Sequence, residues 1–158
     1  MTAINSNRAI RGPVTAVPVV AGKGVRLVAD TENNRWVVEA DETVLYSDAS
    51  GALDSIPLSE ALTNFERIKI VWKDWSSIDC INIQEFDSAS SNFMLTCTWA
   101  GASSSIIIFS IAMTPNASKT TLTNSFARFI TFSNTSTVST ASNTRILKVI
   151  GVNRIASN

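Results

Sequence analysis

The residues of this chain with chemistry to offer are its carboxylates and the run Trp72-Lys73-Asp74-Trp75. Glu39, Asp41 and Glu42 cluster at one turn, and Asp74, Asp79, Glu85 and Asp87 surround the middle loops. Two carboxylates at a suitable separation are enough for glycoside hydrolysis. Acids in turns more often bond to backbone or face solvent, so a carboxylate-dependent polysaccharide hydrolase is only the less favoured reading. The tryptophans point to binding instead. Trp72 continues the inward alternation of a strand, whereas Trp75 falls in the following turn, where no periodicity demands burial. An indole there can stack on the apolar face of a sugar while Asp74 and Asp79 accept hydroxyl hydrogen bonds. Trp75, Asp74 and Asp79 are therefore the candidate ligand-binding residues. Packing of Trp75 under a loop or against a neighbouring subunit is the competing role.

Other chemistries lack their residues. There is no histidine, which removes Ser-His-Asp and Cys-His catalysis and every histidine-bearing metal centre. Cys80 and Cys97 cannot supply the four donors of a zinc site; they can form a disulfide or stay as two reduced thiols in neighbouring strands. Gly22-Lys23-Gly24 lacks the spacing of a phosphate-binding loop and suits a turn. No catalytic residue, metal ligand or cofactor is expected.

Composition narrows the partners. Hydrophobic residues make up 45% of the 158, but charged residues only 16%, against about 25% in ordinary domains. Either sister subunits cover part of the surface, or a monomer carries a neutral Ser/Thr/Asn exterior. Net charge is zero and the basic residues are scattered, so no nucleic-acid footprint exists. The longest apolar stretch, residues 106–113 interrupted by Ser110, is far too short for a membrane helix. Residues 1–11 lack the pattern of a secretion signal. Synthesis in the cytoplasm without a signal peptide is expected; a particle released by lysis needs none.

The elements that must position these residues are strands. Residues 1–13 read as a polar, flexible lead-in ending at Gly12-Pro13, and 14–158 as one domain. Prolines 13 and 18 among valines suggest an extended edge segment. Residues 25–30, 36–38 and 43–46 are β-prone and separated by turn residues, which predicts a meander of two tight hairpins. Leu58 and Leu62 allow one helical turn. Residues 65–72 place Ile68, Ile70 and Trp72 on one face and Arg67 and Lys69 on the other. Strands follow at 80–83, 93–99, 106–113, 126–132 and 145–152, with 133–144 an ordered loop or exposed edge strand. Residues 106–113 are apolar on both faces, so that strand is expected to be central or covered by another subunit. The sum is an all-β fold, an antiparallel β-sandwich of jelly-roll or other Greek-key type.

Three stretches resemble the C-terminal head of tailed-bacteriophage or prophage tail-fibre, baseplate and receptor-binding proteins. They are AIRGPVTAVPVVAGKGVRLVADTENNRWVVEADETVLYS at 9–47, IPLSEALTNFERIKIVW at 56–72 and TRILKVIGVNRI at 144–155. Residues 73–143 carry no part of the resemblance. It implies a homotrimeric β-sandwich head at a virion tail tip, attached to other tail or baseplate proteins. Its implied task is non-catalytic attachment to a bacterial surface polysaccharide, with three weak sites acting together. The alternative is a purely structural virion or tail module that touches no receptor. Neither reading involves nucleic acid or membrane insertion.

Overall fold

The computed structural model describes residues 25–33, 35–74, 81–100, 105–132 and 136–155. The expected lead-in and the extended segment that follows it lie outside these residues. The chain forms two compact units, Met1–Asp41 and Glu42–Asn158.

In the first unit, β1 (Val25–Asp30) and β2 (Arg35–Ala40) pair antiparallel, from Val25 opposite Ala40 to Asp30 opposite Arg35. Asp30 organises the turn between them. Its carboxylate accepts the Asn33 backbone N–H at 3.2 Å and Arg35 Nε at 2.7 Å. The Asn33 amide and the Arg35 guanidinium hold its carboxyl below the ordinary carboxylate value.

The expected second hairpin does not form. β3 (Glu42–Ala52) pairs with the last strand, β11 (Arg145–Arg154), instead of with β2. Only Asp41 separates β2 from β3, and one residue cannot reverse a chain into a two-residue hairpin.

The second unit continues with β4 (Ser55–Pro57), a 3-10 turn at Leu62–Asn64, β5 (Phe65–Lys73), β6 (Ile81–Asp87), β7 (Phe93–Ala100), β8 (Ile106–Pro115), β9 (Thr121–Phe132) and β10 (Thr137–Thr140). Every strand pairing is antiparallel, and no α-helix occurs among the described residues. One sheet runs β3-β11-β5-β6; the other runs β10-β9-β8-β7, with β4 added to β9. β11 thus returns from the end of the chain to lie between β3 and β5. The helical turn expected around Leu58–Leu62 sits later, at Leu62–Asn64, where the Asn64 N–H closes on the Ala61 carbonyl at 3.1 Å.

One cluster of buried side chains draws on both sheets. Ile68, Ile70 and Trp72 of β5 are fully buried, as their alternation predicts, together with Ile146 and Val149 of β11. The other sheet supplies Phe93, Leu95, Phe109, Ile111 and Met113. Trp99, Phe109 and Phe129 stack across β7, β8 and β9, with ring centroids 6.0 and 5.5 Å apart. Hydrogen bonds also join the sheets at their margins. Gln84 Oε1 on β6 accepts the Thr96 N–H of β7 at 2.8 Å. After β4, the Leu58 and Ser59 N–H groups bond to the carbonyls of Thr120 and Leu45.

Two glycines permit close approaches. At Gly151 a Cβ would stand 2.5 Å from the Phe65 ring, so β11 can pass over that ring only without a side chain. Gly51, at φ +71°, closes a protrusion of β3 in which residues 48–51 stand out of register with β11.

The end near Arg154 is held by charge. Arg154 donates to both Glu60 oxygens at 2.6 and 2.7 Å and lies 4.7 Å over Phe65, while Asn64 Nδ2 donates to Glu60 at 3.0 Å. Arg154 and Asn64 hold the Glu60 pKa down at about 2, below its ordinary 4.5.

Two outcomes follow from this core and this ion pair. Phe109→Ala should lower the unfolding free energy by about 3–5 kcal/mol in a denaturant titration, because Phe109 is 1% exposed. A depressed folded-state pKa contributes stability that is complete above pH 4.5 and is lost as pH falls through about 2. With Arg154 45% exposed, solvent screening keeps that contribution below about 1 kcal/mol. Glu60→Gln should cost no more than this at pH 7 and flatten the decline in stability between pH 4.5 and pH 2.

Candidate functional site

Asp74 is the residue after β5, where the strand's alternation stops. It is 5% exposed, and Cys97 Sγ on β7 donates to its Oδ2 at 3.7 Å. The carboxylate therefore belongs to the seam between the sheets and does not open onto solvent. Trp75 and Asp79, the other two candidate residues, lie outside the described residues, as does Cys80. The Asp74–Cys97 contact sets the end of β5 beside β7 close to its last residues. The strand ends Lys73, Ile81, Ala100, Ile106 and Phe132 consequently gather at one end of the unit. Trp72 and Trp99 bring two buried indole N–H groups that have no hydrogen-bond acceptor among the described residues. Buried donors without partners are uncommon. Spacing had marked Trp72 as core, but the missing acceptor left no trace in the sequence.

Three of the carboxylates weighed for acid–base chemistry, Glu42, Glu85 and Asp87, have structural partners. Glu85 pairs with Arg67 at 2.7 Å and Glu42 with Lys69, both on the outer face of the β3-β11-β5-β6 sheet. Asp87 accepts the Ala89 N–H at 2.7 Å in the turn after β6. Among the described residues, no group of three or more His, Cys, Asp and Glu side chains converges on a metal position. No helix among them is long and apolar enough to cross a membrane.

The most distinctive surface is the outer face of the β10-β9-β8-β7 sheet. β8 is central in that sheet, with Phe109, Ile111 and Met113 turned into the core. Its opposite face carries Ile106, Ile108, Ser110 and Ala112, in register with Phe132, Ile130, Arg128 and Phe126 of β9. β7 adds Met94, Thr96 and Thr98, and β10 adds Val138 beside Ile130. Val138 is 64% exposed and Ile106 51%, so no described residue covers this face around them. Arg128, the only charged residue among those described on it, lies 5.1 Å over the Phe126 ring. A groove of about 290 Å³ crosses the strands here, lined by Met94, Ser110, Phe126, Arg128, Ile130 and Val138. The outer face of the other sheet differs, because ion pairs interrupt its apolar residues.

No family model matches the chain, and no curated protein or solved structure matches it either.

Removing the acceptor at the seam should be costly. Asp74→Ala is expected to lower the unfolding free energy by about 1–3 kcal/mol in a urea titration, since it removes a buried hydrogen-bonding carboxylate from the seam.

Proposed function

We propose that this chain is a non-catalytic adhesion module of a viral tail tip, acting by contact with a bacterial surface polysaccharide. The observation that supports the reading best is β8, a central strand with one apolar face in the core and the other left open. Such a face serves an assembly or a binding partner and has no role in bond chemistry. In this proposal the two sheets are the halves of a Greek-key β-sandwich. It is jelly-roll-like in returning β11 between β3 and β5, and it assembles as a homotrimer on other tail or baseplate proteins. The likeness of residues 9–47, 56–72 and 144–155 to phage receptor-binding heads points the same way.

Glycan contact is assigned to the end of the unit where β5, β7 and β9 finish. There Asp74, fixed by Cys97, roots the segment that carries Trp75 and Asp79. The Trp75 indole offers an apolar plate to a sugar ring and the Asp79 carboxylate offers hydroxyl acceptors, a combination usual in saccharide pockets. Three copies of a weak site on one assembly raise avidity when their spacing matches the polymer.

The test is binding of the full chain to intact candidate host cells and to purified wall polysaccharide, alongside Trp75→Ala. The variant should lose at least about tenfold in apparent affinity, equivalent to roughly 1.4 kcal/mol, with an unchanged unfolding curve. Absence of binding across candidate hosts, or a Trp75→Ala variant that binds like the parent, removes the glycan reading in favour of a purely structural tail protein. Polysaccharide shortened during incubation would instead favour a hydrolase.

A further inference from the structure

We infer that the outer face of the β10-β9-β8-β7 sheet is the surface through which copies of this chain pack against one another. This deepens the proposed assembly by naming its interface and rests on that reading.

Three observations select a second copy as the occupant. The first is the contrast between the two outer faces. On the β3-β11-β5-β6 sheet, Lys69–Glu42 and Arg67–Glu85 pairs lie across the strands, as suits a solvated surface. The facing sheet carries no carboxylate on its outer rows, and its one cation, Arg128, rests on Phe126. A guanidinium held against an aromatic ring is less costly to cover than one needing an anion. The second is net charge. With 13 basic and 13 acidic residues the chain is formally neutral, so copies meet without long-range repulsion.

The third is size. From the row Met94–Ala112–Phe126 to the row Ala100–Ile106–Phe132, β7, β8 and β9 stay paired, and β10 widens the sheet. At about 3.3 Å per residue and 4.8 Å between strands, this is roughly 400 Å² of sheet plane. A standard interface takes about 800 Å² from each partner, with an apolar centre inside a polar rim. The apolar rows fit that centre, and Thr96, Thr98 and Thr140 stand where a rim is needed. Val138, Phe132, Ile106 and Met94, each more than 40% exposed, are the side chains that contact would remove from water.

Sedimentation velocity of the full chain tests this, comparing the parent with Ile130→Glu, Thr98→Glu and Val44→Glu. Ile130 and Thr98 lie on the inferred interface, whereas Val44, 52% exposed, lies on the outer face of the other sheet. The parent should sediment as a discrete homo-oligomer. Ile130→Glu should raise its dissociation constant by roughly a hundredfold or more, because a carboxylate would be buried without a partner. Thr98→Glu, at an exposed position, should weaken association in the same direction with an unchanged unfolding curve. Val44→Glu should leave the assembled mass unchanged. An oligomer that persists in both Ile130→Glu and Thr98→Glu overturns this interface while leaving assembly itself intact. A parent that is monomeric at all concentrations overturns both. A monomer that loses polysaccharide binding on Ile130→Glu also overturns the inference and assigns the face to a ligand.

Discussion

A strand that is apolar on both sides has to be covered twice, and most of this structure is arranged around that requirement in β8. Pairing with β7 and β9 satisfies its backbone and places it inside a sheet. Its inner face is covered by the chain itself. Phe109 stacks between Trp99 and Phe129, and Ile111 and Met113 reach into the cluster that β5 and β11 complete from the opposite sheet. No described residue of the same unit covers the outer face at Ile106 or at the neighbouring Val138 and Phe132. A single sheet on a single core can bury one side of such a strand only.

The opposite sheet depends on a different constraint, the return of β11. Its inner residues Ile146 and Val149 fill the space between Leu45 and the β5 row, and Gly151 lets the strand cross Phe65. The bulges in its pairing with β3 and β5 take up the mismatch of strand lengths, with residues 48–51 standing out as a protrusion closed by Gly51. Arg154 then ties the end of the strand to Glu60, and the Ile155 N–H donates to the Asn64 carbonyl at 2.8 Å. The two ends of the unit differ as a result. One is closed by an ion pair and backbone hydrogen bonds. The other brings together strand ends, a buried carboxylate and two indole donors that have no acceptor among the described residues.

Much of the local structure was legible residue by residue. The alternation of Ile68, Ile70 and Trp72 against Arg67 and Lys69 reports the two faces of β5 because a strand turns successive side chains to opposite sides. Residues 133–144, rich in Ser, Thr and Asn, hold the exposed edge strand β10 around Val138. Lengths were less legible. β8 continues to Pro115 and β9 begins at Thr121, since a short turn at Asn116, whose side-chain oxygen accepts the Thr120 N–H at 2.8 Å, replaces a long loop. The buried position of Asp74 was hidden too. A carboxylate next to a turn reads as exposed until the partner strand brings Cys97 within reach.

The sequence by itself determined where most of the strands run, which side of β5 is apolar, and that no histidine-based chemistry is available. Those properties are local, written in periods of two and in side-chain type. Only the tertiary structure decided that β3 pairs with β11 instead of β2, that Asp74 lies at a seam, and that one apolar face of β8 is left open. Each depends on which distant strands meet, and in an antiparallel fold an alternating pattern is compatible with many partners until packing selects among them.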